Sequence, residues 1–164
     1  METGNREFRF IRKTQKIIEQ YNSFNLPPNE NYDVTLLLNA CVGLLFIAHE
    51  KHKNKLPNAK AKYKLEPWGI HTENISICKN KHLEDEDITI KSVCKHIRNS
   101  IAHCNFETRN TNKKIDRIIF KDYSNRNGKR MQTFNMEISV NNFEIYAKAL
   151  STYILNKEDS LISK

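Results

Sequence analysis

The stretch Asp87–Phe106, DITIKSVCKHIRNSIAHCNF, decides how the rest of the chain is read. Its apolar residues Ile90, Cys94, Ile97, Ile101 and Cys104 alternate between i+4 and i+3 steps, the stripe of a helix laid on a core. Wound at about 100° per residue, that stripe keeps within ~60° of one line; Arg98 falls ~100° from it, and His96, Asn99 and His103 at ~200–260°. Arg98 and His103 therefore stand outside the core seam on opposite flanks, with the back of the helix between them. One helix cannot close a pocket over its own back, so another helix or a second copy of the chain has to cover it. Asn99 and His103 form an i, i+4 pair, near enough for the amide to orient the imidazole. Asp87 is a suitable N-cap, and the acidic run Glu84–Asp87 suits the helix dipole.

Upstream, Val34–His49 (VTLLLNACVGLLFIAH) is apolar nearly all round, which predicts a helix at the buried centre of a bundle. Thr35, Asn39 and Gly43 interrupt it, and it is too short for a membrane span. Asn31 or Asp33 can cap it, Gly43 marks close approach of another helix, and Asn39 is the odd polar residue inside, bonding a neighbouring backbone group or orienting a site. Phe8–Tyr21 reads as a first helix with Phe10, Ile11, Thr14, Ile17, Ile18 and Tyr21 on one face, stopped by Pro27-Pro28. After the apolar helix, Lys51–Lys64 is a basic loop around Pro57. Its lysines, Lys51, Lys53, Lys55, Lys60, Lys62 and Lys64, either contact phosphates or are simply solvated. Trp68 and Ile70 are expected to pack the loop down.

Downstream of Phe106 a polar turn precedes two strand-like runs, Ile115–Tyr123 and Met131–Val140, the second alternating strictly at Phe134, Met136, Ile138 and Val140. A two-residue turn at Asn127-Gly128 would pair Phe120 with Asn135. A three-residue loop over 126–128, with Gly128 left-handed, pairs Phe120 with Phe134 and Ile118 with Met136, apolar against apolar, and is preferred. Arg126, Lys129 and Arg130 then form a basic hairpin tip. Asn142–Leu155 is the last helix, capped by Asn141 with Glu144 in a capping box. Residues 1–157 form one domain and 158–164 a frayed tail. The fold class expected is mostly α, with about four main helices and a β-hairpin inserted before the last.

Composition agrees with that class. A chain of 164 residues with only four Gly and four Pro favours long regular elements. A net charge of +8 and a pI near 9.3 point to a polyanionic partner, nucleic acid first. The four cysteines contain no C-x-x-C pair, and the N-terminus has no signal-peptide apolar region, so a reducing, cytoplasmic setting without disulfides is expected. His71, Cys78, His82 and Cys94 match no usual zinc spacing, so no metal is assigned. Without a Gly-rich phosphate loop, neither nucleotide hydrolysis of that kind nor a cofactor is expected.

The chemistry within reach is RNA cleavage. RNA carries its own nucleophile, the 2′-hydroxyl, so the protein need only move protons near neutral pH and stabilise charge building on the phosphate. Imidazole does the first and a forked guanidinium the second.

The segment HIRNSIAHCNF, with Arg98-Asn99-Ser100-Ile101-Ala102-His103, resembles the R-polar-x3-H motif of the HEPN superfamily. DVTLLLNACVGLLFIAHEK (33–51) resembles the apolar second helix of its stand-alone, plasmid-associated prokaryotic branch, and the order of elements is similar. The strand pair departs from a plain bundle and reads as an insertion. The resemblance implies a helical bundle, dimerised with its motif helices near the two-fold, that cleaves RNA without metal as a toxin or anti-phage effector. It also implies Arg98 and His103 as the catalytic pair, Asn99 as the orienting residue, RNA and a second copy as partners, and a possible cognate antitoxin. The alternative is an inactive relative that binds RNA or a protein as an antitoxin-like subunit.

Overall fold

The computed structural model describes residues 6–24, 33–52, 54, 56–58, 65–76, 88–111 and 114–162. Pro27-Pro28, Asn31, Lys53, Lys55, Lys60, Lys62, Lys64, Cys78, His82 and the run Glu84–Asp87 lie outside the described residues, as do the side chains of Asp33 and Arg126. Four helices are described, α1 (Arg6–Ser23), α2 (Asp33–His52), α3 (Ile90–Ala102) and α4 (Val140–Ile162). Between them run β1 (Ile75–Ser76), β2 (Phe106–Thr111), β3 (Lys114–Arg126) and β4 (Lys129–Ser139). The strands make one antiparallel sheet in the order β1-β4-β3-β2. The expected hairpin is thus the middle of a four-stranded sheet.

α1, α2 and α4 pack on one another, and α3 lies between α2 and β3. α1 and α4 are tied by Gln15 Nε2 donating to Ser151 Oγ at 2.6 Å and Asn22 Nδ2 donating to Glu144 Oε1 at 2.7 Å. One core runs through both layers, from Ile11, Leu44 and Leu45 through Cys94 and Ile97 to Phe120, Phe134, Phe143 and Tyr146.

α1 buries Phe8, Ile11 and Thr14, whereas Phe10 and Ile17 of the expected face are about half exposed. The buried stripe is therefore turned by roughly 60° toward Phe8, because α2 and α4 pack on that side of α1. α2 runs on to His52, so over Val34–His52 it is long and apolar enough to cross a membrane by length and composition. In the fold its Val34, Leu37, Leu38, Cys41, Leu44, Leu45 and Ala48 are buried, in contact with α1, α3 and α4. It is not buried all round. Thr35, Asn39, Val42 and Phe46 face outward, so Asn39 is not an interior polar group. Gly43 does receive a neighbour: a Cβ there would come 2.6 Å from the Phe10 ring.

Trp68 follows the expectation, its ring 5.5 Å from Tyr153 of α4, with Ile70 buried. The hairpin corrects the preferred register. Arg126 pairs with Lys129 across a two-residue turn in which Asn127 (φ 48°) and Gly128 (φ 73°) are both left-handed, the type I′ geometry that matches strand twist. Further down, Asp122 pairs with Phe134 but Tyr123 with Gln132, so Thr133 is an extra residue, a bulge in β4. That bulge turns an apolar-polar mismatch into Phe120 opposite Met136 and Ile118 opposite Ile138. α4 begins at Val140, ahead of the expected Asn141 cap, because Ser139 Oγ accepts from Asn142 N at 3.1 Å; it extends past Leu155 to Ile162.

Candidate functional site

α3 starts at Ile90, not near Asp87, because Thr89 and Ser92 form a reciprocal cap. Thr89 Oγ1 accepts from Ser92 N at 3.0 Å, and Ser92 Oγ accepts from Thr89 N at 2.9 Å. The helix ends in a Schellman motif. Cys104 stands left-handed (φ 52°), its N–H bonded to Ile101 O at 3.1 Å, and Asn105 N bonds Ser100 O at 2.7 Å. His103 is the C-cap, its N–H on Asn99 O, and its side chain is exposed. Cys104, assigned to the core stripe, is exposed, and Ile101 is only half buried. The buried face has rotated instead toward Val93, His96 and Ser100, because the sheet packs against that flank.

His96 is the consequence. Only 3% exposed, it stacks on Phe134 with centroids 4.6 Å apart and planes at 8°, and its Nδ1 lies 2.8 Å from Asp122 Oδ2. A carboxylate only accepts, so Nδ1 carries the proton. The same Oδ2 accepts from Asn99 Nδ2 at 2.9 Å, and Oδ1 accepts from Tyr123 N at 2.8 Å. Burial alone would raise the Asp122 carboxyl. Hydrogen bonds from His96, Asn99 and Tyr123 N–H, with the charge of His96, outweigh it and hold the group below the ordinary carboxylate range. Ser100 Oγ adds a bond to Lys121 O at 2.6 Å, and Lys121 N donates to Asn105 O at 2.9 Å. The end of α3 is thereby stitched to β3.

The other flank belongs to α2. Arg98 Nη2 lies 3.3 Å from Glu50 Oε1, with the two side chains 25% and 47% exposed. Between the flanks Lys95 and Ala102 are exposed and Lys91 half so. The sheet covers the His96 side of the helix back and α2 the Arg98 side, and the arc between Arg98 and His103 stays open. Of the expected site residues, Asn99 turns its amide nitrogen to Asp122. Lys51, Lys129 and Arg130 are exposed on other elements. Cys94 is no ligand candidate. It is buried beside Tyr146, and burial pushes its thiol up to about 12. Among the described residues no group of three metal-ligating side chains occurs.

Asp122 was missed by reading α3 alone, although β3 carries a signal for it. Ile118, Phe120 and Asp122 share one face of the strand, so the alternation sends a carboxylate into the core, where it requires donors. Asn105, Tyr123 and Arg130 gave no signal of meeting: Arg130 Nη2 donates to Asn105 Oδ1 at 2.9 Å and its guanidinium carbon lies 4.1 Å above the Tyr123 ring.

Compared with known proteins, residues 1–161 match the family model described as HEPN pEK499 p136. No curated protein and no solved structure matches the chain.

Proposed function

We propose a function from the premise that this chain belongs to that HEPN family, whose model spans residues 1–161. It is an endoribonuclease that needs no metal, with Arg98 and His103 as its reacting groups, acting as a toxin or anti-phage effector. The observation that carries this reading is the open arc of α3, flanked on one side by the Arg98 guanidinium, paired with Glu50 of α2, and on the other by the exposed imidazole of His103 at the helix C-cap. The RNA 2′-oxygen attacks the adjacent phosphorus, its proton leaving to an imidazole, and the 5′-oxygen departs with a proton returned. The products are a 2′,3′-cyclic phosphate and a 5′-hydroxyl. Arg98 stabilises the charge gathering on the non-bridging oxygens. Its Glu50 partner does not bar this. A partly exposed ion pair is worth about 0–1 kcal/mol, so a phosphate can displace it.

Half a site on each protomer fits a dimer. Val42, Phe46 and Glu50 form one i+4 row on α2 that ends on Arg98, and Val42 and Phe46 are 44% and 56% exposed. Covering that row with a second copy buries both apolar side chains and brings two Arg98–His103 sets toward one another.

The test is cleavage of RNA in EDTA by the wild type, Arg98→Ala and His103→Ala proteins, with products typed at both ends. Activity should vanish in both variants while their melting temperatures hold. Cleavage surviving either substitution refutes the assignment. Phe46→Glu should yield a monomer that is inactive though folded; an active monomer would remove the composite site.

A further inference from the structure

On the face of the sheet shared by Lys121 and Tyr123, the basic side chains are mostly neutralised. Glu137 pairs with Arg109 and Arg117 at 3.2 Å each, and Glu107 with Lys121. Arg130 is not neutralised in this way. Among the described residues its partners are Asn105 and the Tyr123 ring, and no carboxylate pairs with it. It reaches from β4 across Tyr123 of β3 to Asn105 at the head of β2, and it is exposed. Its guanidinium is therefore held before any ligand arrives, the central carbon over the ring and one N–H on the amide oxygen, while the side chain stays exposed and keeps donors to spare. Asn105 is joined to His103 through Cys104 alone, so the two Cα atoms are at most ~7.6 Å apart.

We infer that Arg130, stacked on Tyr123 and held by Asn105, forms a subsite for one unpaired nucleobase next to the phosphate that His103 acts on. This rests on the ribonuclease reading and deepens it. Arg130 then does more than attract the backbone from a hairpin tip. A guanidinium plane already immobilised receives a base with little ordering cost, and stacking of this kind is a recognised way to hold splayed single strands. Its position makes it select where along a strand cleavage occurs, where a lysine in a solvated loop would add affinity evenly.

The experiment uses the full chain and single-stranded RNA whose scissile bond has been mapped with the wild type. Strands carrying a 2′-O-methyl at that bond and one abasic position at a time are then titrated at fixed salt. Wild type should lose about tenfold in affinity when one base flanking the scissile bond is removed. In Arg130→Lys, which keeps the charge, intact RNA should bind that much more weakly and the abasic penalty should disappear, with the salt dependence unchanged. Tyr123→Leu, which keeps Arg130 and Asn105, should behave alike. An abasic penalty that persists in both variants, or no flanking base that matters in wild type, overturns the subsite while cleavage stands. Variants that merely melt earlier, with the base scan unaltered, overturn it too. A wild type that neither binds nor cleaves RNA removes the ribonuclease reading and the subsite with it.

Discussion

Removing the carboxylate of Asp122 should loosen the site from beneath. In Asp122→Ala three donors lose their acceptor: His96 Nδ1 at 2.8 Å, Asn99 Nδ2 at 2.9 Å and Tyr123 N at 2.8 Å. His96 is buried, so its orphaned N–H costs about 1–3 kcal/mol; the other two are reachable by water and cost roughly 0.5–1.5 kcal/mol each. Relief of burying a carboxylate offsets part of this, leaving a net loss of about 2–4 kcal/mol. With a urea m-value near ~2 kcal/mol/M, the midpoint should fall by about 1–2 M at unchanged m. Asp122→Asn keeps one acceptor oxygen but turns an amide donor toward another N–H, and should lose about half as much. The pH dependence has a definite sign. The folded-state pKa is depressed, so the contribution is complete above the unfolded value near 3.8 and fades as pH falls through the folded value. Wild-type stability should accordingly drop more steeply below pH 4 than that of Asp122→Asn. A midpoint for Asp122→Ala within ~0.3 M of wild type, or identical acid limbs for wild type and Asp122→Asn, would refute the staple.

Cys104→Gly should raise stability by about 0.5–1 kcal/mol, since Cys104 is exposed and left-handed at φ 52°, where glycine pays no Cβ penalty; a lower melting temperature would contradict this. Gly69→Ala should cost about 2–4 kcal/mol by denaturant titration, because φ is +71° and a Cβ would meet Asn142 O, a backbone atom, at 2.5 Å. A near-neutral effect would mean the turn and α4 are not in register. Glu50→Gln frees Arg98 from its carboxylate and should tighten RNA binding about 2–5-fold at low salt, with the gain shrinking as salt rises. Weaker binding would show that Glu50 orients Arg98 productively.

The four helices were legible because each carries a stripe or an apolar run that only helical spacing explains. The two long strands were legible by alternation and by Asn127-Gly128. β2 was not, since FETRNT has a single half-buried apolar residue and is a strand only because β3 offers it an edge. The register failed for a related reason. Apolar matching was the right criterion, but a bulge at Thr133 satisfies it by a route that no local preference announces. Arg98 and His103 were legible as flank residues from the helical wheel. The sheet's hold on the back of α3 was not, because His96 and Asp122 are 26 positions apart and meet only once the hairpin is laid down.

The bonds between α1 and α4 join residues 136 and 122 positions apart. α2, the next helix along, covers part of α1, with His52 against the Phe8 ring, but the seat of α1 is complete only once α4 packs on it. α3 and its strands are close neighbours in sequence and can assemble early; the three-helix layer closes only through the longest loop in the molecule, the slow step on entropic grounds. The three-helix layer, which carries Glu50 to its place beside Arg98, is therefore the last part of the fold to close, after α3 and its strands have assembled.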